Sequence, residues 1–183
     1  AASINSPDII RDVELEPIER YPLDVAAAFD RNDPWEVADV LSDESYVPYI
    51  KPKHVAKAFQ NPRSNDAALR HLNFRRDSSF NREVIANLMS DLGKLDREKR
   101  ENAAKSVVAA TNSFSTDAET VKKVLLDSRL PANASREIVK NNMKLTESDL
   151  HDLGGNKQAA PPVRVAAKLR LVKDYGQDPA TID

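Results

Sequence analysis

The chain of 183 residues has no cysteine and only four glycines. Without cysteine it has no disulfides, no thiolate nucleophile, and no cysteine ligands for a zinc finger or an iron–sulfur cluster. The glycines form neither a GxGxxG nor a Walker pattern, and no GxSxG elbow occurs, so the common signatures of nucleotide-binding enzymes and serine hydrolases are missing. We therefore expect no cofactor, no metal centre and a non-catalytic protein.

Long apolar runs and aromatic residues are also scarce. No run approaches the ~20 apolar residues that a membrane-spanning helix needs, and no signal-peptide pattern occurs. We expect no membrane partner, and the cytoplasm is the simplest compartment for a cysteine-free chain. Aromatic residues make up 5% and charged residues 31% of the sequence, while 40% is hydrophobic. This composition favours many small amphipathic helices with Ala, Val and Leu inside, rather than one thick aromatic core.

The charges are distributed unevenly although the net charge is only −2. Residues 1–60 hold twelve acids and six bases, a net charge of −6, and residues 61–183 hold the remaining seventeen acids and twenty-one bases, a net charge of +4. The overall charge thus favours no polyanionic partner. The distribution predicts one acidic end and one mildly basic end.

Helical patterns with their own start and stop signals fill the chain from Leu23 onwards. Residues 1–22 contain three prolines and alternating acids, which predicts an extended acidic arm that packs on the body. Residues 23–183 are predicted to form a single all-α domain of about nine short helices. Clear helix starts include Asp33 before Pro34, a Thr116–Glu119 capping box and a cap at Thr146 with Asp149. Gly93 is predicted as a left-handed helix end.

Similar helix ends and turns recur along the middle of the chain, in VAKAFQNPRSNDAALRHL (55–72), VVAATNSFSTDAETVKKVL (107–125) and IVKNNMKLTESDLHDL (138–153). A shift of 51 residues aligns Asn61 with Asn112 and Ser64 with Ser115. These segments resemble the α-helical solenoids of the HEAT and leucine-rich-repeat-variant type, over about half of the chain between Val55 and Leu153. The resemblance implies stacked helix pairs that act as a binding scaffold. An irregular helical bundle is the alternative.

The best candidate surface in the sequence is the arginine-rich segment 63–82, in which His71, Phe74 and Phe80 are interleaved with arginines. Arginine suits forked contacts with phosphate or carboxylate. A solvated turn whose arginines pair with neighbouring acids would give the same pattern. With two bases of the terminal helix, the predicted anion-binding or nucleic-acid-binding residues are Arg70, Arg75, Arg76, Arg82, Arg164 and Lys168.

The terminal helix from Pro161 to Tyr175 is predicted to bury Val165, Leu169 and Val172, with its bases flanking that stripe. The same basic pattern arises when lysines extend from a buried stripe into solvent without any ligand.

The acidic amino-terminal third carries Trp35, Tyr46 and Tyr49, which are candidates for protein contact because aromatic residues are enriched at interfaces. Packing of Trp35 against the next helix is the simpler interpretation. The histidines His54, His71 and His151 lie on three different predicted helices and are expected at the surface, since none has a second histidine at helical spacing. Asp149 and Asp152 flank His151, so a metal site would require residues brought together by the tertiary fold.

Three functions remain open from the sequence. The favoured prediction is a non-catalytic binding or scaffold module that contacts another protein or further copies of itself. The first alternative is a helical repeat that binds nucleic acid through the arginine-rich segment and the terminal helix. The second is an enzyme with a convergent site on a helical scaffold, which leaves no linear motif.

Overall fold

The computed structural model describes residues 17–181. Within that range the chain has ten α-helices and no strand, which confirms the all-α prediction with one helix more than the nine expected. The helices are α1 Pro17–Arg31, α2 Pro34–Ser42, α3 Pro52–Phe59, α4 Asn65–Arg75, α5 Ser78–Gly93, α6 Arg97–Thr111, α7 Ala118–Leu125, α8 Ala132–Asn141, α9 Glu147–Gly155 and α10 Pro161–Tyr175, with 3-10 turns at Glu44–Tyr49 and Pro179–Thr181.

The first helix corrects part of the predicted arm. Helix α1 covers Pro17–Arg31 and contains Pro22, so residues 17–22 are helical rather than extended. The hydrogen bond lost at Pro22 is offset because Val25, Ala28 and Phe29 of the same helix are buried. The rest of the predicted arm, residues 1–16, lies outside the described residues.

The chain divides into two compact units, unit 1 up to Ala68 and unit 2 from Leu69, and the division falls inside α4. The prediction of a single domain over residues 23–183 stays a prediction.

Unit 1 packs α1, α2, the 3-10 turn and α3 around a small aliphatic core. The apolar faces of α2 and α3 are buried in this core. Asp33 caps α2 as predicted, because its carboxylate accepts the backbone N–H of Trp35 at 2.9 Å. The core consists mainly of Val25, Phe29, Val37, Leu41, Ile50, Val55 and Phe59.

Unit 2 is a chain of packed helix pairs, in which α5 packs on α6, α6 on α8, α8 on α10, and α10 on α9. Its core is built from Leu, Val, Ile and Ala side chains at helical spacing, including Val84, Leu88, Val107, Ile138 and Leu171. No helix in the described part of the chain is both long enough and apolar enough to cross a membrane.

The terminal helix α10 buries a different face from the predicted one. Val163, Ala167 and Leu171 are buried, whereas Val165 is 56% and Leu169 is 64% exposed. Both sets have the four-residue spacing of one helix face. The prediction selected the set with larger side chains, but the small Ala167 allows closer packing of α10 on its neighbours.

The turn before α7 also differs from the prediction. The cap of α7 is Asp117, whose carboxylate accepts the N–H of Thr120 at 2.8 Å. Thr116 is fully buried, and its hydroxyl instead donates to the carbonyl of Ala110 at 2.8 Å, six residues back. Ser64 makes the equivalent bond to Ala58, also six residues back, at 2.8 Å. The two turns therefore share one local geometry, and the wider repeat stays a prediction.

The predicted left-handed end at Gly93 is wrong. In residues 17–181 the glycine with a positive φ is Gly176, which ends α10 at φ 62°. Lys94 and Leu95 continue from α5 in a tight turn, donating to the carbonyls of Asp91 and Leu92 at 3.1 Å each. That turn satisfies the helix end without a left-handed residue.

Candidate functional site

Two arginines of the predicted anion site have partners within unit 2. Arg75 at the end of α4 lies over the ring of Phe80, with its guanidinium carbon 3.7 Å from the ring centroid, and its Nε is 4.0 Å from Asp77. Burial lowers the pKa of Arg75, and the charge of Asp77 opposes that change. Arg82 forms an ion pair with Asp117 at 3.3 Å. These two side chains hold the start of α5 and the cap of α7 in place.

The other two arginines of the segment that were predicted to bind anions face solvent. Arg76 has a left-handed backbone, at φ 54°, and its guanidinium carbon is 5.7 Å from the ring of Phe114. Phe114 is itself 52% exposed. Arg70 is exposed on α4. The arginine-rich segment is thus divided between internal contacts and solvent, and it does not present a continuous row of guanidinium groups.

The predicted bases of the terminal helix, Arg164 and Lys168, lie beside α9. The stem of Lys168 covers Gly154, where an added Cβ would approach its Cγ to 3.3 Å and the carbonyl oxygen of Arg164 to 3.9 Å. Arg164 is half-buried, and its Nε has no hydrogen-bond partner among the described residues. The side chain of Lys168 therefore packs on α9, whereas Arg164 approaches α9 through its backbone carbonyl.

Two further arginines close the carboxyl ends of helices. Arg170 donates through Nη1 to the carbonyls of Val139 at 2.9 Å and Asn142 at 2.7 Å, at the end of α8. Arg100 donates to the carbonyl of Leu92, in the last turn of α5, at 3.1 Å, and to that of Leu95, just after α5, at 3.0 Å. The last carbonyls of a helix lack intrahelical partners and carry partial negative charge, so a guanidinium suits them.

Unit 2 has a surface groove between α8 and α10, with a volume of about 470 Å³. Its floor is apolar, because Val165 and Leu169 of α10 project into it beside Pro162 and Ala166. Exposed aliphatic side chains are common singly, but two of them together in a groove indicate a contact surface. We call this surface the α8–α10 groove.

The rim of the α8–α10 groove is basic. Arg136 and Lys140 of α8 and Lys173 of α10 are exposed on it, and Arg170 lies at its base. The single carboxylate of the lining, Asp174, is paired with Arg170 at 3.2 Å. Arg136 donates to the side chain of Asn133 at 3.0 Å. The rim therefore presents positive charge on both sides of an aliphatic floor.

The sequence prediction missed this groove for a specific reason. Helix α10 carries two aliphatic stripes, and only one of them can face α9 and α8. The second aliphatic stripe of this otherwise basic helix could have indicated an exposed apolar surface. The positions of Arg136 and Lys140 opposite that stripe depend on helix packing and could not be read from the sequence.

The three aromatic candidates for protein contact separate into two groups. Trp35 is 69% exposed, so the expected packing on the next helix is wrong. Tyr46 and Tyr49 instead pack on Tyr21 of α1, with ring centroids 5.2 and 6.0 Å apart, and the hydroxyl of Tyr46 donates to Asp24 at 3.3 Å. Burial and the charge of Asp24 raise the pKa of Tyr46.

The histidines are less exposed than expected. His71 is buried, with its ring centroid 5.9 Å from that of Phe80, and His54 is half-buried on Phe29. His151 is exposed on α9. Across residues 17–181, no group of three or more His, Asp or Glu side chains is arranged to hold a metal ion.

The chain matches no known protein family, and no curated protein sequence or solved structure is significantly similar to it.

Proposed function

We propose that the protein is a binding module whose α8–α10 groove accepts an acidic amphipathic helix of a partner protein. The observation that carries this proposal is the exposure of Val165 and Leu169 on the floor of a groove with a basic rim. An amphipathic helix places aliphatic side chains three and four residues apart on one face, which suits a narrow aliphatic floor. Its flanking carboxylates would lie near the basic rim.

The energies expected from this arrangement are moderate. Burial of a whole aliphatic side chain contributes about 1.5–3 kcal/mol, and each of these two side chains has more than half of its surface still to bury. Charges on an exposed rim contribute more to the association rate and to orientation than to affinity. The floor therefore supplies most of the binding energy, and the rim selects an acidic partner.

The nucleic-acid alternative from the sequence stays a prediction. Of its residues, Arg75 and Arg82 are engaged with Phe80 and Asp117, the stem of Lys168 lies against α9, and Arg164 is half-buried. The remaining two, Arg70 and Arg76, are too few for a backbone contact of the usual strength, because affinity for nucleic acid grows with the number of phosphates neutralised.

A designed peptide tests the proposal directly. The probe is a capped, fluorescein-labelled synthetic helix of about four turns, with leucines three and four residues apart on one face and glutamates on both flanks. Fluorescence anisotropy should report saturable binding, and methyl NMR shifts should concentrate at Val165 and Leu169. The control is a peptide of the same composition with its leucines scattered around the helix, and it should bind at least tenfold more weakly.

Matched variants locate the site. Leu169→Ser should weaken binding of the probe about tenfold, because it removes roughly one buried aliphatic side chain from the interface. Met143→Ser removes an apolar side chain that is 89% exposed outside the groove, and it should leave binding unchanged. Lys140→Glu should weaken binding and reduce its dependence on salt, whereas Lys123→Glu on the exposed face of α7 should do so less.

Three results would contradict the proposal. Equal binding of the scattered peptide would show non-specific adsorption, and equal effects of Leu169→Ser and Met143→Ser would place the contact elsewhere. A concentration-dependent dimer in analytical ultracentrifugation, abolished by Leu169→Ser, would identify a second copy of the chain as the occupant.

A further inference from the structure

Unit 1 contains a second depression that the sequence did not indicate, with a volume of about 590 Å³. It lies where the end of α1, the 3-10 turn and α3 meet. Lys51, Lys53 and Lys57 line it together with His54, and Asp30 is the single carboxylate of the lining. The lining thus carries three cations and one anion, within residues 1–60, which are acidic overall.

The three lysines differ in the hydrogen bonds and ion pairs that their ammonium groups already make. Lys57 donates to the carbonyl of Phe29, at the end of α1, at 3.1 Å, which uses one of its three N–H donors and fixes the ammonium group at the cavity. Lys51 and Lys53 are exposed, and in the described part of the chain no carboxylate lies within 4.0 Å of either ammonium group. Within the described residues, the charges of Lys51 and Lys53 are therefore not neutralised by an ion pair.

His54 is held rigidly between these lysines. Its ring stacks on Phe29, with centroids 4.6 Å apart and planes inclined by 19°, and its Nδ1 accepts the backbone N–H of Lys51 at 3.0 Å. Because Nδ1 accepts, the neutral ring carries its proton on Nε2, which is a donor. Burial and the charges of Lys53 and Lys51 lower the pKa of His54 to about 4, so the ring is neutral at pH 7.

We propose that this cavity binds a small phosphate monoester, with the phosphate held by Lys51, Lys53 and Lys57 and the apolar body of the ester against the wall formed by Pro22, Ala26 and Pro48. Lysine binds phosphate as a point charge and requires no forked geometry, and a phosphate monoester carries close to two negative charges at pH 7. A dianion matches the excess of cations over carboxylates in the lining. The Nε2–H of His54 provides a further donor for it.

Titration with phenyl phosphate tests the assignment, with inorganic phosphate as the second arm. Phenyl phosphate should bind saturably in calorimetry, more tightly than inorganic phosphate, and should shift the NMR signals of residues 51–57. The pKa of His54, followed by NMR in the bound state, should rise above about 4, because a nearby dianion favours the imidazolium. Equal affinity for the two compounds would overturn the role of the apolar wall.

A charge-matched pair of variants separates this site from general attraction of anions. The double substitution Lys51→Gln with Lys53→Gln should lower affinity for phenyl phosphate about tenfold, since two exposed cations each contribute modestly. The control, Lys94→Gln with Lys123→Gln, makes the same change of charge in unit 2 and should leave affinity within about twofold. Both pairs are exposed, so circular dichroism should be unchanged. Equal loss in the two double variants, or no saturable binding, would overturn the proposal.

Discussion

Replacing Arg170 with methionine tests how far a single long side chain stabilises unit 2. The Arg170 side chain is only 9% exposed, and its Nη1 is shared by the carbonyls of Val139 and Asn142 at the end of α8. These carbonyls belong to the last turn of α8 and its cap, where no intrahelical N–H is available. Arg170→Met keeps most of the aliphatic stem and removes both hydrogen bonds.

The expected loss follows from these contacts. A hydrogen bond from a charged group contributes about 1.5–3 kcal/mol, and a buried carbonyl left without a partner costs a similar amount. Because the groove admits water, part of the loss is recovered. We expect the free energy of unfolding of unit 2 to fall by about 3 kcal/mol. The ion pair with the exposed Asp174 should account for less than about 0.5 kcal/mol of this, which Asp174→Asn measures separately.

Native-state hydrogen exchange is the suitable assay, since it resolves unit 2 from unit 1. Amides of Ile138 and Val139 in α8 and of Leu171 in α10 should lose protection together in Arg170→Met. Arg136→Met is the matched control, because Arg136 is exposed on α8 and bonds only the side chain of Asn133 in the described structure. It should change stability by less than about 0.5 kcal/mol.

A loss below about 1 kcal/mol in Arg170→Met would refute the reasoning, since water would then serve the two carbonyls as well as the guanidinium does. Equal effects of Arg170→Met and Arg136→Met would refute it too, because only the first residue bridges α10 to α8. Arg170→Lys should lower the free energy of unfolding less than Arg170→Met does, because an ammonium group retains the positive charge but lacks the forked donors of the guanidinium.

Three further predictions concern single side chains. Because the pKa of His54 is lowered from 6.5 to about 4, the unfolded chain binds more protons between these values, so the free energy of unfolding should fall as pH falls through this window and should do so less in His54→Asn. Thr116→Val should lower the free energy of unfolding, measured in urea, by about 1–3 kcal/mol, because the buried hydroxyl donates to the carbonyl of Ala110 and accepts from Asn81 at 3.2 Å. A loss below about 0.5 kcal/mol, which is typical of a surface substitution, would contradict this. Trp35, the single tryptophan, should emit like a solvated indole and be quenched by acrylamide, and Trp35→Phe should leave stability unchanged; a shielded emission would contradict its exposure.

The helix starts that the sequence predicted correctly depend on nearest neighbours in the chain. Asp33 caps α2, and Thr146 with Asp149 forms the predicted capping box of α9, with bonds of 3.0 and 3.1 Å. In each case the donor and the acceptor are two or three residues apart, so the order of residue types is enough to predict the hydrogen bond.

Thr116 shows where this local reasoning fails. Its sequence matches a capping box as well as Thr146 does, yet its hydroxyl turns back to Ala110 and Asp117 takes the cap. A threonine can bond forward to a helix N–H or backward to a carbonyl. Burial of Thr116 decided the choice, because a buried carbonyl without a partner would cost more than an exposed N–H that water can serve.

The sequence by itself determined that this protein is all-α, where helices such as α2 and α9 begin, and which positions are apolar, because these follow from interactions within about four residues. Tertiary structure decided which stripe of α10 is buried and which lines the α8–α10 groove. It also decided which bases remain at the surface. Arg170 reaches carbonyls 28 and 31 residues away, and Lys57 reaches one 28 residues away, so their roles depend on helix packing. Patterns of neighbouring residues do not predict contacts between residues that are so far apart in the sequence.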